Sequence, residues 1–537
     1  MPDAIVIGAG PNGLVAANVL ADAGWDVLVL EAGPEPGGSV HSAHDLGPDY
    51  VTDTCSAFYP LAVASRVMRV LELERYGLRW SHAPAVLAHP LPDGRCVLLS
   101  RDLDETAAAL DRLAAGDGDA WRRLYGLWDR VGDDLLDALF TPFPPVVAGA
   151  RLAAKVRAAG GLRLVRFALL PVRRLAEEEF RGSGSLLFTG CALHTDLSPE
   201  AAGSSIYGWL LTMLGQRYGF PVPVGGAGQL AAALVRRLES RGGTLRCGTP
   251  VNRVVVRGGR AVAVRTRDGD EVPASRAVLA DVAAPRLYGG LVGWEHLPPR
   301  MRDDMRRFQW DSGTVKVDWA LSGPVPWAAP ETGRAGTVHL AEGMDEMTQY
   351  CADIARGLVP ARPFVLLGQM TTSDASRSPD GTEYVWAYTH VPRQVRGDAG
   401  DAGITGGWDQ RDREAIAARL EAQIERYAPG FRGKITERRV TSPPELEEHN
   451  ANLVGGAVNG GTTAVHQQLV FRPTPGLGRP ETPIPGLYLA SSSAHPGGGV
   501  HGACGSNAAR AALQQRRVGG VIAARGIAAA QRLLTGP

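Results

Sequence analysis

Ala4-Ile5-Val6-Ile7-Gly8-Ala9-Gly10-Pro11-Asn12-Gly13-Leu14 opens a strand–turn–helix–strand that closes at Glu31. Ile5-Val6-Ile7 is a short apolar run of the kind a buried parallel strand needs. Leu14 to Ala23 reads as a helix stopped by Gly24, and Val27-Leu28-Val29-Leu30 as a second buried strand ending in an acid. Between the first strand and the helix stands a complete G-x-G-x-x-G. Gly8 suits the tight turn, Gly10 the close approach of a pyrophosphate, and Gly13 the packing of helix on strand. The helix N-terminus adds free N–H groups and a positive dipole end, and Glu31 falls where a ribose hydroxyl needs an acceptor. In that context the glycines predict a bound dinucleotide rather than a bare turn.

Glu31 disfavours a ribose 2′-phosphate, which argues against NADP here. Six residues on, Gly37-Gly38 adds a feature that an NAD site does not need. Together, Gly8 to Gly13, Glu31 and Gly37-Gly38 resemble the N-terminal FAD signature of the glutathione reductase and amine oxidase superfamily. Within it the chain resembles the phytoene desaturase and carotenoid isomerase branch, including the pyridine nucleotide-disulphide oxidoreductase domain-containing protein 2 group. Ser39 stands where that branch often has a basic residue. A later run is also similar to the branch's C-terminal signature: Asn459-Gly460-Gly461, Gln468, Phe471-Arg472-Pro473, and Pro485-Gly486-Leu487-Tyr488 through to Asn507.

The resemblance implies an α/β fold, with a Rossmann-like FAD-binding domain from 1–80, 222–290 and 455–537. An interleaved α+β substrate domain with a helical lid would come from 81–221 and 291–454. It implies FAD contacts at Gly8, Ala9, Gly10, Pro11, Asn12, Gly13, Glu31, Ala32, Gly37, Gly38, Ser39, Val251, Ser491, Gly498, Gly499, Val500 and Asn507, with Val251 touching the adenine through its backbone.

Bulk properties narrow the class. A chain of 537 residues exceeds one ordinary core, so two intertwined domains are expected. Lys plus Arg and Asp plus Glu both number 56, which removes the basic footprint of a nucleic-acid binder. The six cysteines are scattered without a C-x-x-C, against a structural zinc, a disulphide framework or a redox dithiol. No metal site is expected. The first strand begins at once and no apolar run reaches a membrane span, so the expectation is a cytoplasmic protein.

Further along, Val63 to Leu73, Leu103 to Leu113 and Trp121 to Leu139 read as helices. From Ala138 to Ala176 there is no acid, but Arg151, Lys155, Arg157, Arg163, Arg166, Arg173 and Arg174 stand among apolar residues. Such a stretch is either a membrane-surface element or a lid with a solvated basic face, and the lid is preferred. Gly225-Gly226-Ala227-Gly228 imitates a second dinucleotide loop. Pro221 and Pro223 spoil the strand before it, and no acid ends the strand after it, which argues against a nicotinamide site. Val251 to Val256, Ala261 to Thr266 and Ala277 to Ala280 read as strands. Thr314 to Leu321, Phe364 to Met370 and Tyr384 to His390 read as a second sheet, the floor of the substrate domain. Gln410 to Tyr427 reads as a helix.

The C-terminal stretch is the second anchor. The strand Leu487 to Ala490 runs into Ser491-Ser492-Ser493-Ala494-His495-Pro496-Gly497-Gly498-Gly499-Val500-His501-Gly502, ahead of a helix from Ser506 to Gln515. Glycine at this density before a helix lets backbone N–H groups approach negative charge, as on a reduced flavin ring. His495 and His501 flank the loop as candidates for handling a proton, although an isolated histidine is more often structural. Gln468 and Arg472 are expected between substrate and flavin, with bracing of the loop as the alternative for Arg472. No lysine lies near this loop, and no pair of aromatics is recognisable as an amine cage. Trp386, Tyr388 and His390 share one face of a strand, Trp386 more as core than as pocket wall.

The expected function is FAD-dependent removal of a hydride from a C–C or C–N bond of a small, fairly apolar substrate, by a dehydrogenase, desaturase or oxidase. O₂, a quinone or another diffusible acceptor would reoxidise the flavin. A redox-neutral isomerase, an amine oxidase and an FAD-retaining interaction protein are the alternatives. Peripheral membrane contact through 138–176 and oligomer formation are left open.

Overall fold

A computed structural model describes residues 1–158, 160–476 and 478–514. The expected helix end at Gln515 and the remainder of segment 455–537 lie outside the described residues. The principal elements begin with β1 (Ala4–Ile7), α1 (Pro11–Asp22) and β2 (Val27–Leu30). Then come β3 (Ala85–Pro90), β4 (Cys96–Leu99), α2 (Leu103–Leu113), α3 (Asp117–Leu139), α4 (Val146–Ala158) and α5 (Leu162–Leu169). These are followed by α6 (Val172–Glu179), α7 (Leu186–Leu193), α8 (Ser204–Tyr218) and α9 (Gly228–Ser240). The next strands are β5 (Thr244–Arg246), β6 (Val251–Arg257), β7 (Arg260–Thr266), β8 (Glu271–Pro273) and β9 (Ala277–Ala280). The second half contains β10 (Gly313–Leu321), β11 (Ala335–Leu340), β12 (Val365–Gln369) and β13 (Glu383–Val391). It closes with α10 (Gln410–Glu425), β14 (Ile435–Thr441), β15 (Leu487–Leu489) and α11 (Ala503–Gln514).

A five-stranded parallel sheet, in the order β15-β9-β1-β2-β5, carries the first glycine loop at the C-terminal end of β1. Its strands are buried throughout at β1, β2 and β9, as apolar runs without alternation require. On it lies α1, whose Leu14, Val15 and Leu20 are fully buried and contribute about 1.5–3 kcal/mol each. Gly13 is dictated by this packing, since a Cβ there would stand 2.2 Å from the Gly8 carbonyl oxygen. Helix α11 docks just as closely. A Cβ on Gly505 would stand 1.8 Å from the carbonyl oxygen of Asn12.

The second large sheet has seven strands in the order β14-β10-β13-β12-β11-β3-β4. Antiparallel pairing aligns Lys316 with Tyr388, Asp318 with Trp386 and Leu366 with Tyr388. That register places Thr314, Lys316 and Asp318 on the same face as Trp386, Tyr388 and His390. Room for the Trp386 ring comes from Gly368, where a Cβ would lie 2.5 Å from the indole.

One local expectation is corrected. The stretch 63–73 is not one helix: Pro60–Ala64 and Arg66–Arg69 are separate, divided at Ser65. The extended backbone of Ser65 lets its hydroxyl donate to the His501 carbonyl at 2.7 Å. The basic stretch 138–176 is three helices, α4, α5 and the start of α6, and much of its charge is paired internally. Lys155 and Arg151 pair with Asp134, Arg166 and Arg174 with Glu178, and Arg173 with Glu200. Apolar Val146, Val147, Leu162 and Leu169 are exposed on the same helices. Among the described residues no helix is long and apolar enough to cross a membrane.

Candidate flavin site

One cavity of about 1360 Å³ runs from the first glycine loop to the face of the seven-stranded sheet. Gly8, Gly10, Pro11, Asn12, Glu31, Ala32, Gly38, Ser39 and Val251 line one end. Gln468, Gly498, Gly499, Val500 and His501 line the other. The dinucleotide and C-terminal motifs, nearly 500 residues apart in sequence, therefore face one space.

At the nucleotide end, Glu31 accepts from Ala9 N at 2.6 Å and from Gly33 N at 2.8 Å. A carboxylate has about four acceptor sites, so these bonds orient it and leave capacity for ribose hydroxyls. Three of the expected contact residues do not reach the cavity. Ala9 is buried and spends its N–H on Glu31, and the Gly37 N–H bonds the Ala9 carbonyl at 2.9 Å. Gly13 gives its N–H to Asp281 at 2.8 Å. Asp281, which the sequence reading missed, lines the cavity where β9 ends, and burial, with Glu31 nearby, pushes its carboxyl up to about 7. The signal was available: an acid directly after the apolar run Ala277 to Ala280, at the carboxyl end of a parallel strand.

The second glycine loop is already served by the chain itself. Gly225 N donates to Asp374 at 2.8 Å, Ala227 N to Asp53 at 2.8 Å, and Gly228 N to the Ser42 hydroxyl at 3.0 Å. These carboxylates take the place a phosphate would need.

At the other end the structure reassigns several expected residues. His495 does not reach the cavity; it is buried, its Nε2 bonds the Thr141 carbonyl at 3.0 Å, and burial lowers its pKa to about 4. His501 does line the cavity, stacked on Phe140 with ring centroids 4.9 Å apart. Its Nδ1 accepts from Ala503 N at 3.0 Å, so Nε2 carries the hydrogen and donates to the Gly497 carbonyl at 3.3 Å. Both nitrogens are thus occupied, and burial holds the ring neutral with a pKa of about 4. His501 caps α11 and has no lone pair for a substrate proton.

Ser491 lies behind the wall, accepting from Ser493 N, and Ser492 lines the cavity instead. Asn507 ties α11 to the Phe140 carbonyl at 3.1 Å and does not line the cavity. Gln468 lines it and donates to the Thr462 carbonyl at 2.9 Å. Arg472 is fully buried behind the loops, in the bracing position.

The sheet supplies what the sequence did not place. Lys316 lines the cavity, ion-paired to buried Asp318, which also accepts from Tyr384 Oη at 2.7 Å. Trp386 and Tyr388 stack at 6.0 Å and 12° and both line the wall. His390 sits behind them with its Nδ1 3.3 Å from the Thr314 hydroxyl. His194 reaches the cavity as a neutral imidazole, its pKa lowered to about 3 by burial, with Nε2 2.9 Å from His339 Nε2.

These residues fit a flavin dinucleotide. Asn12 Oδ1 and Asn459 Nδ2, on residues at opposite ends of the cavity, are buried without a hydrogen-bond partner. Gly10 leaves room that a Cβ would fill 2.7 Å from the Asp281 carboxylate. A cradle of this form, with a glycine-rich loop at either end, defines a flavin-dependent oxidoreductase.

The comparisons agree. The family model described as flavin containing amine oxidoreductase matches residues 12–285. The chain belongs to that family, and its cofactor is FAD. It is 27% identical to mouse pyridine nucleotide-disulfide oxidoreductase domain-containing protein 2, covering 94% of this chain and 92% of the relative. It is 27% identical to hydroxyneurosporene desaturase of Cereibacter sphaeroides (96% and 98% covered), and 26% identical to lycopene-forming phytoene desaturase of Pseudescherichia vulneris (96% and 99%). In fold it is similar to an oxidoreductase of Methanosarcina mazei, with a TM-score of 0.61 at 15% identity over 95% of this chain and 99% of that one. Putrescine oxidase bound to putrescine gives 0.60 at 17% identity over 95% and 98%.

Proposed function

We propose that the protein is a dehydrogenase or desaturase that removes a hydride from a neutral, largely apolar substrate. The observation that carries this reading is the character of the cavity beyond the glycine loops. Phe58, Leu61, Phe140, Leu210, Leu366 and Trp386 wall that arm, and its charged lining residue is Lys316. The carboxylates that line the cavity, Glu31, Glu35, Asp281 and Glu448, sit at the nucleotide end. In that arm Lys316 is already paired with Asp318, so a protonated amine would find no free carboxylate among the lining residues, and an unpaired buried charge is costly. The amine oxidase alternative is therefore disfavoured, although putrescine oxidase shares the fold.

When bound, FAD supplies a two-electron acceptor for the hydride. The chain's own residues bind and orient the substrate: the apolar arm excludes water, and the Trp386–Tyr388 stack forms a flat wall. Gln468 offers its Oε1 as an acceptor, its Nε2 being held by Thr462. Lys316, fixed by Asp318, presents its Nζ as a donor at the sheet face of the cavity. His495 and His501 take no proton in this scheme. Exposed Val146, Val147, Leu162 and Leu169, on helices following Phe140, suit delivery of a lipophilic substrate from an apolar phase. Turnover would need a diffusible electron acceptor, O₂ or a quinone, to take up the electron pair.

The test is anaerobic bleaching of the holoprotein by a panel of neutral lipophilic alkanes, alkenes and alcohols beside matched primary amines. Bleaching by neutral members supports the proposal. Bleaching confined to amines overturns it, and turnover of a neutral substrate without net bleaching establishes the isomerase instead.

A further inference from the structure

Arg472 is fully buried, and among the described residues no carboxylate forms an ion pair with it. Its guanidinium instead donates to five backbone carbonyls. Nε and Nη2 reach the Ser492 oxygen at 3.1 and 2.8 Å, and Nη1 reaches Thr462 at 3.0 Å. Nη2 also reaches Asn459 at 3.1 Å and Gly460 at 3.2 Å, and Gly461 lies at 3.4 Å. The same loop is held from its other side by Asp311, also fully buried. Its carboxylate accepts from Val458 N at 2.7 Å, Asn459 N at 2.8 Å and Gly461 N at 3.0 Å. The peptide groups of 458–462 are thus aligned between an anion and a cation, N–H groups toward one and C=O groups toward the other.

This arrangement stands one residue layer behind the cavity. Val458, Asn459, Gly460, Ser492 and Gly498 line it. A Cβ on Gly497 would lie 3.2 Å from the Arg472 guanidinium carbon, and one on Gly498 would lie 2.8 Å from the Asn459 carbonyl oxygen. The two loops therefore interlock around the buried charge. Glu31 and α1 take the nucleotide and phosphates, and α11 packs on the start of α1, so the flavin half of FAD must extend along the loops that precede α11. Unlike a surface charge, a buried guanidinium is weakly screened, and it stays protonated at all accessible pH.

We propose that Arg472 is a positioning residue for the cofactor: its buried charge, opposed across the loop by Asp311 and acting through loops 458–462 and 492–499, favours the reduced flavin and raises the FAD reduction potential. The inference rests on the FAD assignment. The equilibrium it biases is FAD + 2 e⁻ + H⁺ → FADH⁻, in which the flavin gains an electron pair and one proton and carries the remaining negative charge. The low pKa values of His495 and His501 agree in sign, since Arg472 adds to the effect of burial at both imidazoles.

The experiment is anaerobic equilibration of holoprotein FAD against a reference dye, with dithionite supplying electrons, for wild type, Arg472→Lys, Arg472→Met and Asp311→Asn. Arg472→Met should shift the equilibrium at least tenfold toward oxidised flavin, about 30 mV for a two-electron couple. Arg472→Lys keeps the charge without the fork and should stay within about threefold of wild type, since its ammonium acts as a point charge. Asp311→Asn removes the opposing anion and should shift the equilibrium the other way. Equal shifts in Arg472→Lys and Arg472→Met would make Arg472 a hydrogen-bonding staple and overturn the proposal, as would no shift in either. If the Arg472 variants do not fold, Asp311→Asn decides: a rise supports the proposal, and a fall or no change overturns it. Wild-type protein that takes up no FAD would refute the cofactor reading itself.

Discussion

Gly10→Ala tests the nucleotide end with a single methyl group. Gly10 has φ −67° and ψ 171°, a conformation open to alanine, so backbone strain does not enter. The added Cβ would stand 2.7 Å from Asp281 Oδ2, whereas ordinary contact begins near 3.4 Å. The carboxylate must withdraw by about 0.7 Å, the difference between those two distances. That oxygen holds Gly13 N at 2.8 Å, and a displacement of this size ends the bond. Leaving the buried Gly13 N–H without its partner costs about 1–3 kcal/mol. The apoprotein can relax by letting the loop move; the FAD complex, which needs the loop where it is, cannot. The cost then falls on binding, a weakening of roughly five- to 150-fold. The assay is titration of apoprotein with FAD, followed by quenching of flavin fluorescence. Gly24→Ala is the control, since nothing lies within 4 Å of its Cβ and its φ of +79° makes the cost one of stability alone. Gly10→Ala protein that binds FAD as tightly as wild type would refute the reasoning.

Three more outcomes follow from the same geometry. His501→Gln should leave the rate of flavin bleaching by any active substrate within about threefold, and should lower stability by about 1–3 kcal/mol through the lost cap and Phe140 stack; a hundredfold loss of rate at unchanged stability would restore His501 as a base. NADH and NADPH should fail to bleach the holoprotein anaerobically, because Asp53 and Asp374 hold the amides of the second glycine loop; rapid bleaching by either would contradict this. Acid should destabilise the fold: His89, with a native pKa of about 4, stays neutral while its unfolded form takes a proton below about 6.5, so its contribution is complete above 6.5 and is lost as pH falls toward 4. His89→Gln should therefore flatten the fall in denaturation midpoint between pH 6.5 and 5; Asp196, Asp281 and Glu383, each raised to about 7, have the opposite slope, and a variant with an unchanged profile would show that His89 does not titrate in this way.

The first glycine unit was legible because every determinant is local: a turn, a helix stop and two apolar runs within 30 residues. The C-terminal loop was legible as a loop for the same reason. Which of its side chains face the cavity was not, because a displacement of one residue decides it: Pro496 and Ser492 line the wall where His495 and Ser491 were expected. Lys316 was missed because its strand reads as core, and its neighbours at the site arrive only through strand pairing over 70 residues away. A trace was present in Thr314-Val315-Lys316-Val317-Asp318, where polar residues at every second position mark one face of a strand. Arg472 was read with two roles open, and burial decided for the brace. That Asp311 would grip the same loop from the opposite side could not be read from residues nearly 150 positions distant.

The order β15-β9-β1-β2-β5 also has a consequence for how the protein is made. Of the five strands the central one, β1, is synthesised before the others, yet its neighbour β9 follows some 270 residues later and the edge strand β15 more than 200 residues after that. At about 5–20 residues per second, between roughly 25 and 100 seconds separate the first strand from the last. For the first 270 residues of it, roughly 14 to 55 seconds, an apolar strand with an open edge, Ile5-Val6-Ile7, waits beside β2 without its other partner β9. FAD, which stabilises the folded state by binding to it, can do so only once β15 and the loop that follows it have been translated.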